Sequence, residues 1–237
     1  MPVQHPFFIE QPLAGERNVV LPQALHNRLR KVLRLKDGAK IELFDGQHGL
    51  FSGVLQDNKV MQLHFERPPL PTLPVTLVIG LPKREAMETI VRQATELNIA
   101  AIQPVFAAHS VPNRLNMARM EAIATEAAEQ CERLTLPHIQ APVPLAEALH
   151  ATDGLLFWCS ARQDAPDCPE ITADAPADAP FRVAIGPEGG FSDAEITLLA
   201  SYGQPFRLGS TILRADTAVV AALSRMALTL RHGAARP

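Results

Sequence analysis

Residues 184–196 read AIGPEGGFSDAEI, and Gly186, Pro187, Glu188, Gly189 and Gly190 form a loop whose composition invites chemistry. A Gly-rich turn between a strand and a helix commonly cradles phosphate on the backbone N–H groups at the helix start. The letters here argue otherwise. A Walker loop needs GxxxxGK[ST], which does not occur, and a dinucleotide fingerprint needs GxGxxG, a spacing that these three glycines do not have. Glu188 would also repel a phosphate. The loop suits a ligand that is uncharged or cationic where it meets the backbone, or it is simply a tight turn. A second string, RLGSTILRADTAVVAAL (207–223), places a glycine turn, Arg214 and Asp216 just ahead of an apolar run. Asp216 reads equally as a helix N-cap.

The elements around these strings follow from their patterns. FRVAIG (181–186) is a continuous apolar run, as in a buried strand. Ser192, followed three residues later by Glu195, is a capping box, so a helix starts there. That helix reaches about Tyr202 and stops at Gly203, which suits a left-handed C′ position. PFRLG (205–209) predicts a strand and 217–233 a closing helix. Upstream, strands are expected at 75–81, 99–106 and 154–160, and helices at 84–97 and 114–134. Strands alternating with helices imply an α/β domain with a parallel sheet. QDAPDCPEITADAPADAP (163–180) reads as a loose surface loop.

Four prolines between Pro68 and Pro74 mark a boundary, because proline can continue neither a helix nor a central strand. Before it lie β-like segments, a hairpin signal at Asp45-Gly46 and one helix around residues 22–34. At about 100° per residue, Leu25, Leu29, Val32 and Leu33 share one arc, with Arg28, Arg30, Lys31 and Arg34 opposite. That basic arc is either a solvated face or a surface for nucleic-acid phosphates.

The net charge of −3 does not by itself propose nucleic acid. Residues 1–74 carry nine Lys/Arg against seven Asp/Glu, and residues 75–237 thirteen against eighteen, which is consistent with two parts of different function. Cys131, Cys159 and Cys168 are odd in number and lack CxxC spacing, so neither a disulfide framework nor a metal site is expected. The start of the chain lacks a basic region followed by an apolar run, and no apolar stretch reaches about 18 residues. A cytoplasmic protein without a membrane span is the expectation.

S-adenosyl-L-methionine (SAM), with an adenosine, a sulfonium and no phosphate, fits the glycine loop's preferences. Beyond that, IGPEGG some twenty residues ahead of LGSTILRADTA resembles the paired C-terminal motifs of the SPOUT class of RNA methyltransferases. More narrowly, it resembles the RsmE family, which methylates N3 of a uridine in 16S (small-subunit) ribosomal RNA. HNRLRKVLRLKDGAKIELFDG, METIVRQATELNIAAIQPVF and EAAEQCERLTLPHI extend the likeness over nearly the whole chain. The resemblance implies a PUA-like β-barrel RNA-binding domain over 1–70. It implies a parallel α/β domain with a C-terminal trefoil knot over 75–237. By position it assigns SAM to Ile185, Gly186, Pro187, Glu188, Gly189 and Gly190, to Leu208, Gly209, Ile212 and Leu213, and to a third wall near Cys159 and Ser160. It also implies a homodimer acting on 16S rRNA within an assembled or nearly assembled small subunit. Two departures stand out: the family's usual Glu-Arg is Ala108-His109 here, and its usual Arg is Thr211.

Removing the N3 proton of a uracil puts negative charge on O2 and O4, so a fixed cation there would stabilise the transition state. Arg214, beside the second motif, is the candidate, since a guanidinium suits paired oxygens. Arg133 is a second, from the family likeness. Asp216 or Glu188 could take the proton. A SPOUT enzyme acting on another base or a ribose, and a non-catalytic RNA-binding relative, remain as alternatives.

Overall fold

A computed structural model describes residues 5–111, 114–150, 154–160, 165–167 and 180–234. Cys168 and most of the 163–180 loop lie outside the described residues. Contacts divide the chain into two units: Met1–Pro71 with Thr125–Leu136, and Thr72–Ala124 with Pro137–Pro237. The linear pattern, with its proline boundary alone, does not display the assignment of 125–136 to the first unit.

The first unit holds β1 (Phe7–Phe8), β2 (Asn18–Val20), α1 (Gln23–Asn27), β3 (Lys40–Phe44), β4 (Leu50–Gln56) and β5 (Lys59–Arg67). Its sheet runs β1-β3-β4-β5-β2, antiparallel except for the β1–β3 pair. Leu13, Leu29, Ile41, Leu43, Leu55 and Val60 are buried at its centre. The Asp45-Gly46 signal opens the β3–β4 connection. Gly46 adopts φ 83°, and the Asp45 carboxylate accepts from the N–H groups of Leu13, Gln47 and His48. Burial alone would raise the Asp45 pKa, but those N–H bonds outweigh it and hold the carboxyl below its usual value.

The helix expected around 22–34 changes type partway. α1 runs on as a π turn over Arg28–Val32, where the Leu33 N–H bonds the Arg28 carbonyl at 2.9 Å. A π turn links i to i+5, so the α period fails beyond Arg28. Leu29 stays buried, but Val32 and Leu33 leave the core and are 72% and 43% exposed. The basic arc divides too. Arg28 donates to the buried Glu129 at 2.6 Å, and Arg30 pairs with Asp37 and bonds the Leu35 and Asp57 carbonyls. Lys31 and Arg34 remain exposed.

The second unit begins with β6 (Leu73–Gly80), α2 (Arg84–Glu96), β7 (Ile99–Phe106) and α3 (Met117–Gln130), whose later residues count with the first unit. It continues with β8 (His138–Ile139), β9 (Val143–Pro144), α4 (Leu145–His150), β10 (Leu155–Cys159) and β11 (Phe181–Ile185). It ends with α5 (Asp193–Tyr202), β12 (Gly203–Phe206) and α6 (Ala215–Ala234). The sheet order is β12-β10-β11-β6-β7-β8, with β9 also on β7, and each pairing is parallel. One face packs Leu77, Ile79, Val183 and Ile185 against α2 and α6. The other packs Val78, Leu156, Trp158 and Ala184 against α4 and α5. The parallel α/β class is thus as the alternation implied. No helix among the described residues is long and apolar enough to cross a membrane.

Three local expectations change. Pro74 does enter a strand, at the irregular start of β6, where the register against β7 shifts between Leu73 and Thr76 and a missing N–H is tolerated. Gly203 is not a left-handed cap: its φ is −167°, and it opens β12. A Cβ there would lie 2.1 Å from the Leu156 carbonyl oxygen, so close strand approach explains the glycine. Asp216 is not the N-cap of the last helix. α6 already starts at Ala215, with the Ala218 N–H on the Arg214 carbonyl, and Asp216 sits in the first turn, favourably for the helix dipole.

Candidate functional site

The glycine loop leaves β11 at Ile185 and closes as a tight turn, the Gly190 N–H bonding the Pro187 carbonyl at 2.8 Å. Gly190 adopts φ 72°, which glycine tolerates best. Neighbours in the same unit press on the loop. Gly80, at the end of β6, lies under Pro187: a Cβ on Gly80 would sit 2.5 Å from the proline Cδ. Gly189 lies under His109, with only 2.8 Å between its notional Cβ and the His109 Cβ, and His109 Nδ1 is 3.2 Å from the Gly190 carbonyl. His109 belongs to a turn closed by the Ser110 N–H on the Ala107 carbonyl and by Ser110 Oγ on the Ala107 N–H.

Glu195 ties that turn to α5. One carboxylate oxygen accepts from the Ser192 N–H and hydroxyl, closing the capping box expected from the sequence, and the other accepts from the Ala108 N–H at 2.7 Å. Glu188 has a different task from phosphate binding. Its Oε1 accepts from the N–H of Lys83, the residue that opens α2, at 3.2 Å. A carboxylate at a helix N-terminus is favourably placed, so the carboxylate in this glycine loop braces the loop against α2.

Two further segments complete a cleft of about 600 Å³. One is residues 207–215, between β12 and α6. The other is Trp158, Cys159 and Ser160 at the end of β10, where the Ser160 N–H bonds the Phe206 carbonyl at 2.8 Å. Arg207 is anchored by its N–H on the Pro166 carbonyl and by its guanidinium on Asp167 at 2.8 Å. The structure brings together in this lining Cys159, Ser160, Ile185, Gly186, Pro187, Glu188, Gly189, Gly190, Leu208, Gly209, Ile212 and Leu213, together with Arg214.

The other candidates fall elsewhere. Asp216 is absent from the lining and accepts from the Thr217 N–H. Arg133 belongs to the first unit, where it is 8% exposed and donates to Thr135; burial lowers its pKa to about 10. Arg214 is exposed and makes no side-chain ion pair or hydrogen bond among the described residues. Sequence reasoning passed over Trp158 and Arg207 in the lining and Gly80 behind the loop, and it marked His109 only as a departure from the family's pattern. The lone tryptophan and a glycine ending an apolar strand were the available signals.

Such a cleft offers backbone groups on several sides, apolar surface from Ile185, Leu208 and Leu213, and two arginines, Arg207 paired with Asp167 and Arg214 exposed. Arg207 is already engaged by Asp167, and the Glu188 carboxylate in the glycine loop disfavours a phosphate there. That chemistry suits a nucleoside-sized ligand without phosphate.

A family model described as an RNA methyltransferase domain matches residues 68–227, and one described as an RNA methyltransferase PUA domain matches residues 29–59. The chain is 36% identical over 222 residues to a ribosomal RNA small subunit methyltransferase E of Synechocystis, covering 89% of this chain and 73% of the relative. It is 28% identical over 233 residues to the protein of that name in Rickettsia conorii, covering 95% and 96%. Among solved structures it resembles the ribosomal RNA small subunit methyltransferase E of Neisseria gonorrhoeae bound to S-adenosyl methionine. There the TM-score is 0.79 at 25% identity, covering 94% of this chain and 96% of the other.

Proposed function

The chain belongs to the ribosomal RNA small subunit methyltransferase E family, and from that premise we propose that it uses SAM to methylate N3 of a uridine in 16S ribosomal RNA. The observation that carries this reading is the cleft: a glycine loop, a second glycine-turn segment and the end of β10 meet round about 600 Å³, with Arg214 at the rim. The residues fit SAM. Backbone on both loops can meet an adenosine, Ile185, Leu208 and Leu213 supply apolar surface, and Glu188 tolerates a sulfonium where it would repel phosphate. When bound, SAM supplies an electrophilic methyl group.

The chain's own groups orient the uracil and manage its proton. Losing the N3 proton spreads negative charge over O2 and O4. The Arg214 guanidinium can donate to one of these oxygens without covering N3, and it is not engaged by a carboxylate among the described residues. Of the two carboxylates expected to take the proton, Glu188 lines the cleft and is the candidate, whereas Asp216 lies outside the lining, in the first turn of α6. Each has one oxygen on a backbone N–H, of Lys83 and Thr217 respectively. The burial of Arg133 favours a structural role. In this reading residues 1–70 form the RNA-binding domain and 75–237 the methyltransferase, acting in the cytoplasm on an assembled or nearly assembled small subunit.

The test is methylation in vitro of rRNA lacking the modification, free and within small subunits, followed by nucleoside mass spectrometry. N3-methyluridine at one position is expected, with SAM binding and no ATP binding by calorimetry. A methyl group on another base or on a ribose would move the chain to a different SPOUT activity. Binding of RNA without methylation would make it a non-catalytic relative.

We further propose a homodimer. α6 buries Ala218, Val219, Ala222, Leu223 and Met226, yet Leu228 is 59% exposed, so its apolar surface exceeds what one chain covers. Light scattering at tens of micromolar should return twice the mass of 25.8 kDa, and a monomer would contradict this.

A further inference from the structure

Lys31, Val32, Leu33 and Arg34 are four consecutive exposed residues where α1 ends as a π turn. Val32 is the more exposed of two large aliphatic side chains, at 72% against 43% for Leu33. In a regular helix both would share the buried arc of Leu29; the π turn turns them out. Lys31 and Arg34, on either side, make no ion pair among the described residues, in contrast to Arg28 and Arg30.

The segment is held, not frayed. Arg30 folds back on the Leu35 and Asp57 carbonyls and on Asp37, and Asp37 in turn accepts from the Asp57 N–H. The Leu35 N–H closes the turn on the Leu29 carbonyl at 2.9 Å. Arg34 sits at φ 55°, a conformation in which glycine would be less strained. A long cationic side chain at a position favouring glycine points to use of the side chain.

We propose that Lys31–Arg34 is a recognition tip for a non-helical segment of RNA, in which Val32 and Leu33 meet the face of an unstacked base or its ribose while Lys31 and Arg34 hold the flanking phosphates. This rests on the ribosomal RNA reading above and sharpens it: the contacts pass from the arc of three arginines and one lysine to these two cations and two aliphatics. RNA fits better than a protein surface because the apolar pair is bracketed by unpaired positive charge. Unstacked bases present the apolar faces that such a pair can cover, and aliphatic side chains do insert against bases.

The two halves of the tip should separate experimentally. The doubly substituted Val32→Ser, Leu33→Ser protein should bind small-subunit rRNA about tenfold more weakly with an unchanged salt slope, since apolar contact releases no counterions. The Lys31→Gln, Arg34→Gln protein should bind more weakly and lose about 1.4 from the slope of log K against log salt, at about 0.7 per phosphate on a single strand. Melting temperature and SAM affinity, measured on the same samples, should hold for both. Wild-type RNA affinity in the Val32/Leu33 variant would overturn the proposal. So would a change in its oligomeric mass, which would assign the tip to contact between copies of the chain. Failure of the wild-type protein to bind rRNA would instead sink the ribosomal reading itself.

Discussion

Replacing Arg214 by alanine is expected to lower kcat by about 10²–10³, or about 2.7–4 kcal/mol, the range seen when one donor to a developing oxyanion is removed. SAM affinity and melting temperature should barely change. The guanidinium lines the cleft but holds nothing together: it is exposed, with no carboxylate partner among the described residues. The competing account makes Arg214 a strut that pairs with Glu188 or Asp216. Those carboxylates are instead on the N–H groups of Lys83 and Thr217. A strut would take SAM binding and thermal stability down with activity. Arg214→Lys should rescue little, because a compact, strongly hydrated ammonium on a flexible stem does not reproduce the reach and fixed donor geometry of a guanidinium. Turnover, SAM affinity and melting temperature measured on one purified variant separate the accounts, and near-normal turnover would refute the role given to Arg214.

Much of what surrounds Arg214 was legible because it is local. Ser192 and Glu195 stand at capping-box spacing, and both halves of the box form. The strand before the glycine loop and the helix after it were readable from an apolar run and from that cap. The two strings that carry the family likeness fold against one another and line one cleft. What escaped depended on partners distant in sequence. Glu188 looks like an obstacle in a glycine loop until its bond to the Lys83 N–H, 105 residues away, is known. Gly203 looked like a helix stop, whereas the Leu156 carbonyl dictates it. The π turn at Arg28–Val32 escaped because periodicity assumes one helix type throughout. β8, β9 and α4 escaped because two to six residues are too few to show a period.

Gly80 is where the sequence was quietest and the structure is most demanding, and Gly80→Ala is expected to weaken SAM binding by about 10–100-fold. The added Cβ would lie 2.5 Å from Pro187 Cδ and 2.8 Å from Pro187 N, separations that real Cβ atoms do not tolerate. Neither neighbour is the free end of a flexible chain. One is a proline ring atom and the other is backbone, so the clash moves the glycine loop itself. Overpacking of this kind typically costs about 1–3 kcal/mol. Gly80 is absent from the cleft lining, so the substitution removes no contact with a ligand; it displaces the loop that makes the contacts. The deficit should therefore appear in the KM for SAM and be largely recovered in kcat at saturating SAM, with some loss of melting temperature. Gly190→Val is the informative companion. A Cβ at Gly190 meets nothing within 4 Å, but φ 72° strains a β-branched residue. If Gly80→Ala leaves SAM affinity intact while Gly190→Val abolishes it, the loop holds its form without support from β6. If both lose affinity, the fit of the loop on Gly80 is part of how the cofactor site is built.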